Sequence, residues 1–309
     1  MTPLRGKRVV VTGGSGFVGR RLVHALRLRG AEVQAPTRTE IDLTTDGAVE
    51  SLRRLRPQVI YHLAADTGGV RYVSTRAMDQ NDRINQIVVR AVGEIKPEVA
   101  IFTLSSCMYP KDAPIPWHEG SLIDGPMHPS VTAFGRTKRE LLRHATEIRD
   151  VRLEFPVFTT IYGPGDRIAD PDRAHFVGGL IGRIVGAVAD GAGAVSLRGS
   201  GQSIRDILHV GDAVRVLIAL GEGSLAPGGP INIGTGTGVS ISWVAGVIAE
   251  AIGYRGRIDP DPSYEDGQPD KTLNTGLAET LGWVPWIRRT VEIRSAIILT
   301  AWEALHYAD

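Results

Sequence analysis

Three glycines, Gly13, Gly16 and Gly19, lie in the run Thr12-Gly13-Gly14-Ser15-Gly16-Phe17-Val18-Gly19. Residues without side chains let the chain turn tightly and let backbone N–H groups approach a phosphate. The turn follows Val9-Val10-Val11, and Phe17 and Val18 open a helical pattern. Strand, glycine turn and helix in that order are what a dinucleotide pyrophosphate requires. The competing reading is a tight turn without a ligand. An acid about 20 residues further on would bond a ribose 2′-hydroxyl and mark NAD. This chain instead has Gln34-Ala35-Pro36-Thr37-Arg38. The Arg38 fork suits a 2′-phosphate, so NADP is the expected cofactor. The alternative for Arg38 is a solvated surface charge. Asp42 and Leu43 are expected near the adenine, and Leu63, Ala64 and Ala65 beside the cofactor at the end of their strand.

These residues need a scaffold, and the hydrophobic pattern supplies one. Val9–Val11, a strand from Val33, Val59–Leu63 and Val99–Leu104 read as buried strands. Helical spacing covers Phe17–Leu28 (closed by Gly30), Ala48–Leu55, Arg83–Val92 and Thr137–Ala145. Val157–Ile161 reads as a further strand. Strand and helix alternate, which predicts an α/β fold with a Rossmann doubly wound parallel sheet. Past Gly163-Pro164-Gly165 the pattern is less regular. The expected division is a cofactor-binding domain over 1–165, rejoined by segments near 205–235. A smaller C-terminal α/β lobe over 166–309 would hold the substrate.

Composition narrows the function classes. The net charge of +1 gives no whole-protein field for nucleic acid or an anionic membrane surface. Cys107 is the single cysteine, so no intrachain disulfide forms, and a reducing, cytoplasmic compartment is expected. The first apolar run breaks at Thr12-Gly13-Gly14, too early for a signal peptide or membrane span. The histidines show no metal-ligand spacing, and no metal is expected.

At Ser105-Ser106-Cys107-Met108-Tyr109-Pro110-Lys111 the chain resembles the GDP-L-fucose synthases, a branch of the extended short-chain dehydrogenases/reductases, and the resemblance runs nearly end to end. Gly68-Gly69-Val70, Tyr162-Gly163-Pro164 and Gly199-Ser200-Gly201 carry the same likeness. So do Arg205 with Leu208-His209-Val210, Asn232-Ile233-Gly234-Thr235-Gly236 and Leu281-Gly282-Trp283. The resemblance implies an NADP-dependent enzyme acting on an NDP-4-keto-6-deoxyhexose-like substrate, a GDP-sugar by preference. Epimerisation beside the ketone and hydride reduction of the ketone are the implied reactions.

Reduction needs a proton for the ketone oxygen as well as a hydride. In the family a tyrosine four residues before a lysine gives that proton, and a serine hydroxyl bonds the oxygen. Ser105 matches the serine and Lys138 the lysine, but Phe134 stands at the tyrosine position. A benzene ring has no proton to give, and losing a general acid costs about 10²–10⁴-fold. Either the tyrosine was replaced deliberately, or the phenylalanine is native to an enzyme that epimerises without reducing or takes its proton elsewhere. Tyr109 and Tyr162 are the nearby phenols in these motifs, and neither has the spacing to a lysine.

Epimerisation needs a base on one face of the sugar and an acid on the other. The resemblance assigns this work to Cys107 and His175. It further implies diphosphate-binding cations at Arg205 and Lys271, with Arg183 assisting, and substrate contacts from Gly69, Val70 and Arg198. Arg198 stands where the family has tryptophan, Thr160 where extended members carry asparagine, and Asp66-Thr67 also departs. Helices around 83–92 and 137–145 are expected to form a homodimer interface. An epimerase without reductase activity and a non-catalytic NADP-binding sensor are the competing readings. A 4,6-dehydratase is disfavoured, because no acidic pair follows a threonine in the 105–107 region.

Overall fold

The computed structural model describes residues 3–69, 72–73, 78–166, 168, 170 and 173–307. Its sheet is built from short β-branched runs: β1 (Arg8–Thr12), β2 (Glu32–Gln34), β3 (Val59–His62) and β4 (Val99–Phe102). β5 (Leu104–Ser105), β6 (Arg152–Phe158) and β10 (Pro230–Ile233) complete it. The order is β2-β1-β3-β4-β6-β10, with β5 also on β6, and the pairs are parallel.

Alternate residues of the buried strands feed two apolar layers. Val9 and Val11 pack with Leu22 and Leu26 of α1 (Phe17–Leu28) and with α6 (Val210–Glu222). Val10 and Ile60 face the other way, onto α2 (Gly47–Arg54), α3 (Asp79–Ile95) and α4 (Thr132–Ala145). This is the doubly wound Rossmann arrangement, with helices on both faces. The chain crosses from one side of β1 to the other between β2 and β3. A crevice therefore opens past the carboxyl ends of β1 and β3, where such sheets bind ligands.

The smaller lobe has its own core. β7 (Thr160–Tyr162), β9 (Ile204–His209) and β11 (Gly238–Ser240) form a three-stranded sheet, and β8 (Ala194–Arg198) pairs with β12 (Arg257–Asp261). Residues of α5 (Phe176–Ala189), α7 (Ile241–Ala251) and α9 (Thr290–Tyr307) share one apolar cluster with Val195, Leu197 and Val239. α8 (Gly276–Thr280) lies beside β10.

Two expected strands are broken, each for a reason bearing on the site. Val157–Ile161 divides at Thr159, whose N–H donates to Ile233 O (3.1 Å) and whose hydroxyl donates to Asp206 O (2.6 Å). There the chain leaves the large sheet for the lobe. Val99–Leu104 divides at Thr103, whose hydroxyl donates to His62 O at 2.9 Å and whose carbonyl turns to Lys138. The helix expected from Thr137 begins five residues earlier, at Thr132. Phe134 and Lys138 consequently stand one turn apart on a single helix.

Candidate active site

A cleft of about 1450 Å³ runs from the glycine turn to the lobe. At the turn, Gly13 has φ +71°, and a Cβ there would lie 2.7 Å from Ala64 N and 2.9 Å from Leu63 C. A Cβ on Gly19 would strike Gly13 O. Turn, helix and the end of β3 thus interlock only without side chains. Gly16 precedes α1 with no side-chain cap, leaving first-turn N–H groups available to an anion. Beneath the turn, His62 Nδ1 meets Thr12 Oγ1 at 2.8 Å and Nε2 meets Asn85 Oδ1 at 3.1 Å. Burial, with Lys138 nearby, pulls the imidazole down to about 3, so it is neutral.

Arg38 lines the cleft and is largely exposed. Two acids lie near it in sequence, and both are engaged elsewhere. Glu40 accepts from Thr37 N (2.7 Å) and Oγ1 (2.9 Å). Asp42 accepts from Thr44 N (3.0 Å) and Oγ1 (2.7 Å), reaching Arg38 at only 3.9 Å. A side-chain-free turn and, at its rim, a largely exposed guanidinium paired among the described residues only with Asp42 at 3.9 Å fit a dinucleotide bearing a 2′-phosphate. Phe17, Val18, Leu43 and Ala65 line the same end.

Further in, Lys138 Nζ donates to Thr103 O at 2.9 Å and sits 5.8 Å from the centre of the Phe134 ring. Burial lowers Lys138 to about 8, so it is an ammonium at neutral pH. Phe134, 8% exposed, packs with Val73 and Met78, and Tyr72 and Cys107 border that cluster. Ser105 Oγ accepts from Cys107 N at 3.2 Å, capping the short turn Ser106–Met108 and fixing the thiol's backbone. Lys271 Nζ lies 3.9 Å from Cys107 Sγ. Arg205 Nη1 donates to Ile204 O and Gln268 O, both at 2.7 Å, and burial lowers its guanidinium to about 10.

His175 precedes α5 and faces this cleft, as do Gly69, Arg183 and Arg198. Arg198 lies over the Tyr264 ring at 5.3 Å. Every residue singled out from the sequence for cofactor, substrate or chemistry lines this cleft, except Val70, which lies outside the described residues. Tyr109 and Tyr162 are buried elsewhere, and Tyr109 OH donates to Asn232 Oδ1 at 2.7 Å.

Sequence reasoning missed one constellation. Tyr72 OH donates to Asp66 at 2.8 Å, Arg173 pairs with Asp66 Oδ1 at 3.2 Å, and its guanidinium stacks 4.6 Å over the Tyr72 ring. Gly69 N donates to Arg173 O at 3.1 Å, so these residues tie the loop after β3 to the segment carrying His175. Asp66 registered in the sequence as a departure; nothing local connects it to a partner 107 positions on. Among the described residues, no group of three or more His, Cys, Asp or Glu side chains could hold a metal ion. None of the described helices is long and apolar enough to cross a membrane.

The model of the NAD dependent epimerase/dehydratase family matches residues 9–234. The GDP-L-fucose synthase of Escherichia coli (strain K12) is 32% identical over 295 residues, covering 90% of this chain and 91% of that protein. The probable GDP-L-fucose synthase 1 of Oryza sativa subsp. japonica is 31% identical over 91% of this chain and 88% of its own. Among solved structures, a GDP-6-OMe-4-keto-L-xylo-heptose reductase from C. jejuni superposes with TM-score 0.87 at 21% identity, covering 96% of this chain and 97% of that one. An NADP-bound GDP-L-fucose synthetase from Naegleria fowleri gives 0.80 at 25% identity, over 100% and 97%. With a glycine turn at the sheet's crevice and this likeness along most of its length, the chain belongs to the NAD dependent epimerase/dehydratase family.

Proposed function

We propose that the protein is an NADP-dependent nucleotide-sugar epimerase/reductase acting on a 4-keto-6-deoxyhexose nucleotide, with a GDP-sugar favoured. The observation that carries this reading is one continuous cleft. It joins the glycine turn and Arg38 to Ser105, Cys107, Lys138 and His175, with Arg205, Arg183 and Lys271 on its lobe side. The likeness to curated GDP-L-fucose synthases supports the sugar and the cofactor.

Gly13, Gly16 and Gly19 would hold the pyrophosphate of NADP and Arg38 its 2′-phosphate; bound as NADPH, the cofactor supplies a hydride to the ketone carbon. The Ser105 hydroxyl can donate to the ketone oxygen, and the nearby Lys138 ammonium adds positive potential there. Phe134 gives no proton, so reduction by this chain is slow. Epimerisation does not need that phenol. Cys107 would remove a proton from the carbon beside the ketone, the electron pair moving to the oxygen as an enolate, and His175 would return a proton to the opposite face. Phe134 therefore favours a second reading, epimerisation without reduction.

GDP-4-keto-6-deoxymannose with NADPH in heavy water separates the cases. Deuterium uptake beside the ketone is expected, with slow NADPH consumption. Uptake without consumption supports the epimerase. Neither, with tight NADP binding, rejects an enzyme in favour of a sensor. A cytoplasmic homodimer joined through α3 and α4 belongs to the same proposal, and sedimentation would test the assembly.

A further inference from the structure

Lys271 and Cys107 are 164 positions apart in the chain, yet in the lining of the cleft the ammonium lies 3.9 Å from the thiol. Lys271 is 7% exposed, and its backbone is pinned by a bond from its N–H to Ile204 O at 3.2 Å. An ammonium so far from water needs a counter-charge or loses its proton. Asp270 and Asp266, the acids nearest in sequence, are engaged elsewhere. Asp270 Oδ1 accepts from Thr272 N (2.8 Å) and Oγ1 (2.6 Å), and Asp266 accepts from Ser200 N (3.0 Å) and Oγ (2.6 Å). Among the described residues, the polar partner of Lys271 Nζ is Cys107 Sγ.

The surroundings favour an anion at that sulfur. Arg205, on β9, is 7% exposed; burial lowers it, and Cys107, Asp270 and Asp266 act in the opposite direction. His128 is held below its ordinary range by burial and then by Lys271, Lys111 and Arg205, against which Glu265 acts alone. Burial lowers Lys271 and Arg205 opposes its charge, while Cys107 acts to keep it. Lys138 and His175 line the same cleft.

We infer that Lys271 is a positioning residue for Cys107: in the ligand-free protein the two rest as an ammonium–thiolate pair, and Lys271 keeps the sulfur ready to accept a proton from the substrate carbon. This departs from a lysine whose task is to hold the substrate's diphosphate. The pair acts by charge and needs no oxidant or cofactor. The thiolate accepts one proton, becoming a thiol, and the carbon's electron pair passes to the ketone oxygen. That last step rests on the function proposed above; the resting pair does not.

The test uses the whole protein without nucleotide or substrate. Because Cys107 is the single cysteine, iodoacetamide consumption reports it alone. At pH 7, Lys271→Met is expected to slow alkylation by about 10-fold, whereas Lys271→Arg stays within about threefold of the unchanged protein. An unchanged rate in Lys271→Met overturns the pair. Should Lys271→Met fail to fold, the ultraviolet absorbance of the unchanged protein gives the answer. A thiolate band at pH 7 that is absent from Cys107→Ser supports the pair, and no band overturns it. With GDP-4-keto-6-deoxymannose in heavy water, Lys271→Gln should lower kcat for deuterium uptake with KM nearly unchanged. A raised KM with kcat retained returns Lys271 to the diphosphate. If the unchanged protein exchanges no deuterium but alkylates as expected, the sugar reading fails and the pair stands.

Discussion

The Lys138 ammonium lies 5.8 Å from the centre of the Phe134 ring, one helical turn away, with its proton donated to Thr103 O at 2.9 Å. The phenylalanine keeps the aromatic wall of the site and offers the lysine a π face. Under the proposed function, the hydroxyl that would give the ketone its proton is absent from that ring.

Phe134→Tyr should therefore raise NADPH consumption with a 4-keto sugar nucleotide by about 10²–10⁴-fold, the usual worth of a general acid. The gain depends on the Lys138 ammonium. Burial lowers that lysine to about 8, so the charge is present below that pH and lost above it. The rate of the variant should decline as pH rises past about 8. A pH-independent rate over that range, or no gain, would remove Lys138 and position 134 from the reduction.

Tyr72 is a phenol lining the same cleft, and so a candidate substitute donor. Its proton is committed to Asp66, which Arg173 holds in place. Tyr72→Phe should change residual NADPH consumption by less than about threefold, while lowering the melting temperature through loss of one hydrogen bond of about 1 kcal/mol. A collapse in turnover would instead make Tyr72 the donor.

Arg38→Ala should weaken NADP binding by about 10–100-fold and leave NAD binding nearly unchanged, because a charged hydrogen-bond pair is worth about 1.5–3 kcal/mol. Titration calorimetry with both cofactors measures this. Equal loss for both would show that Arg38 does not read the 2′-phosphate.

His62 predicts an acid limit to stability. Its folded value is about 3, below the ordinary value of 6.5, so the unfolded chain binds a proton that the folded chain refuses. Stability is full above about 6.5 and lost as pH falls, by on the order of 1.4 kcal/mol per pH unit towards 3. His62→Gln should flatten that part of the urea-unfolding profile. An identical slope in both proteins would place the acid sensitivity elsewhere.

The parallel fold and the cofactor turn were legible because their signals are local. Three consecutive valines, a glycine turn and helical spacing to Leu28 lie within the first 30 residues, and each dictates backbone geometry by itself. Arg38 stands out in the sequence because an acid is usual at that position. The second half was harder to read. β8 and β12 pair across some sixty positions, and β7 and β9 depend on the break at Thr159 that transfers the chain between sheets.

Tertiary structure alone decided which side chains answer one another. The sequence names Cys107 and Lys271 by likeness, but no spacing tells that a buried ammonium finds a sulfur rather than a carboxylate. Asp66, Tyr72 and Arg173 meet because Gly69 N bonds Arg173 O and draws two distant loops together. Periodicity reports the face a residue presents. Charge pairing depends on distance and burial, which exist only after the chain has closed on itself.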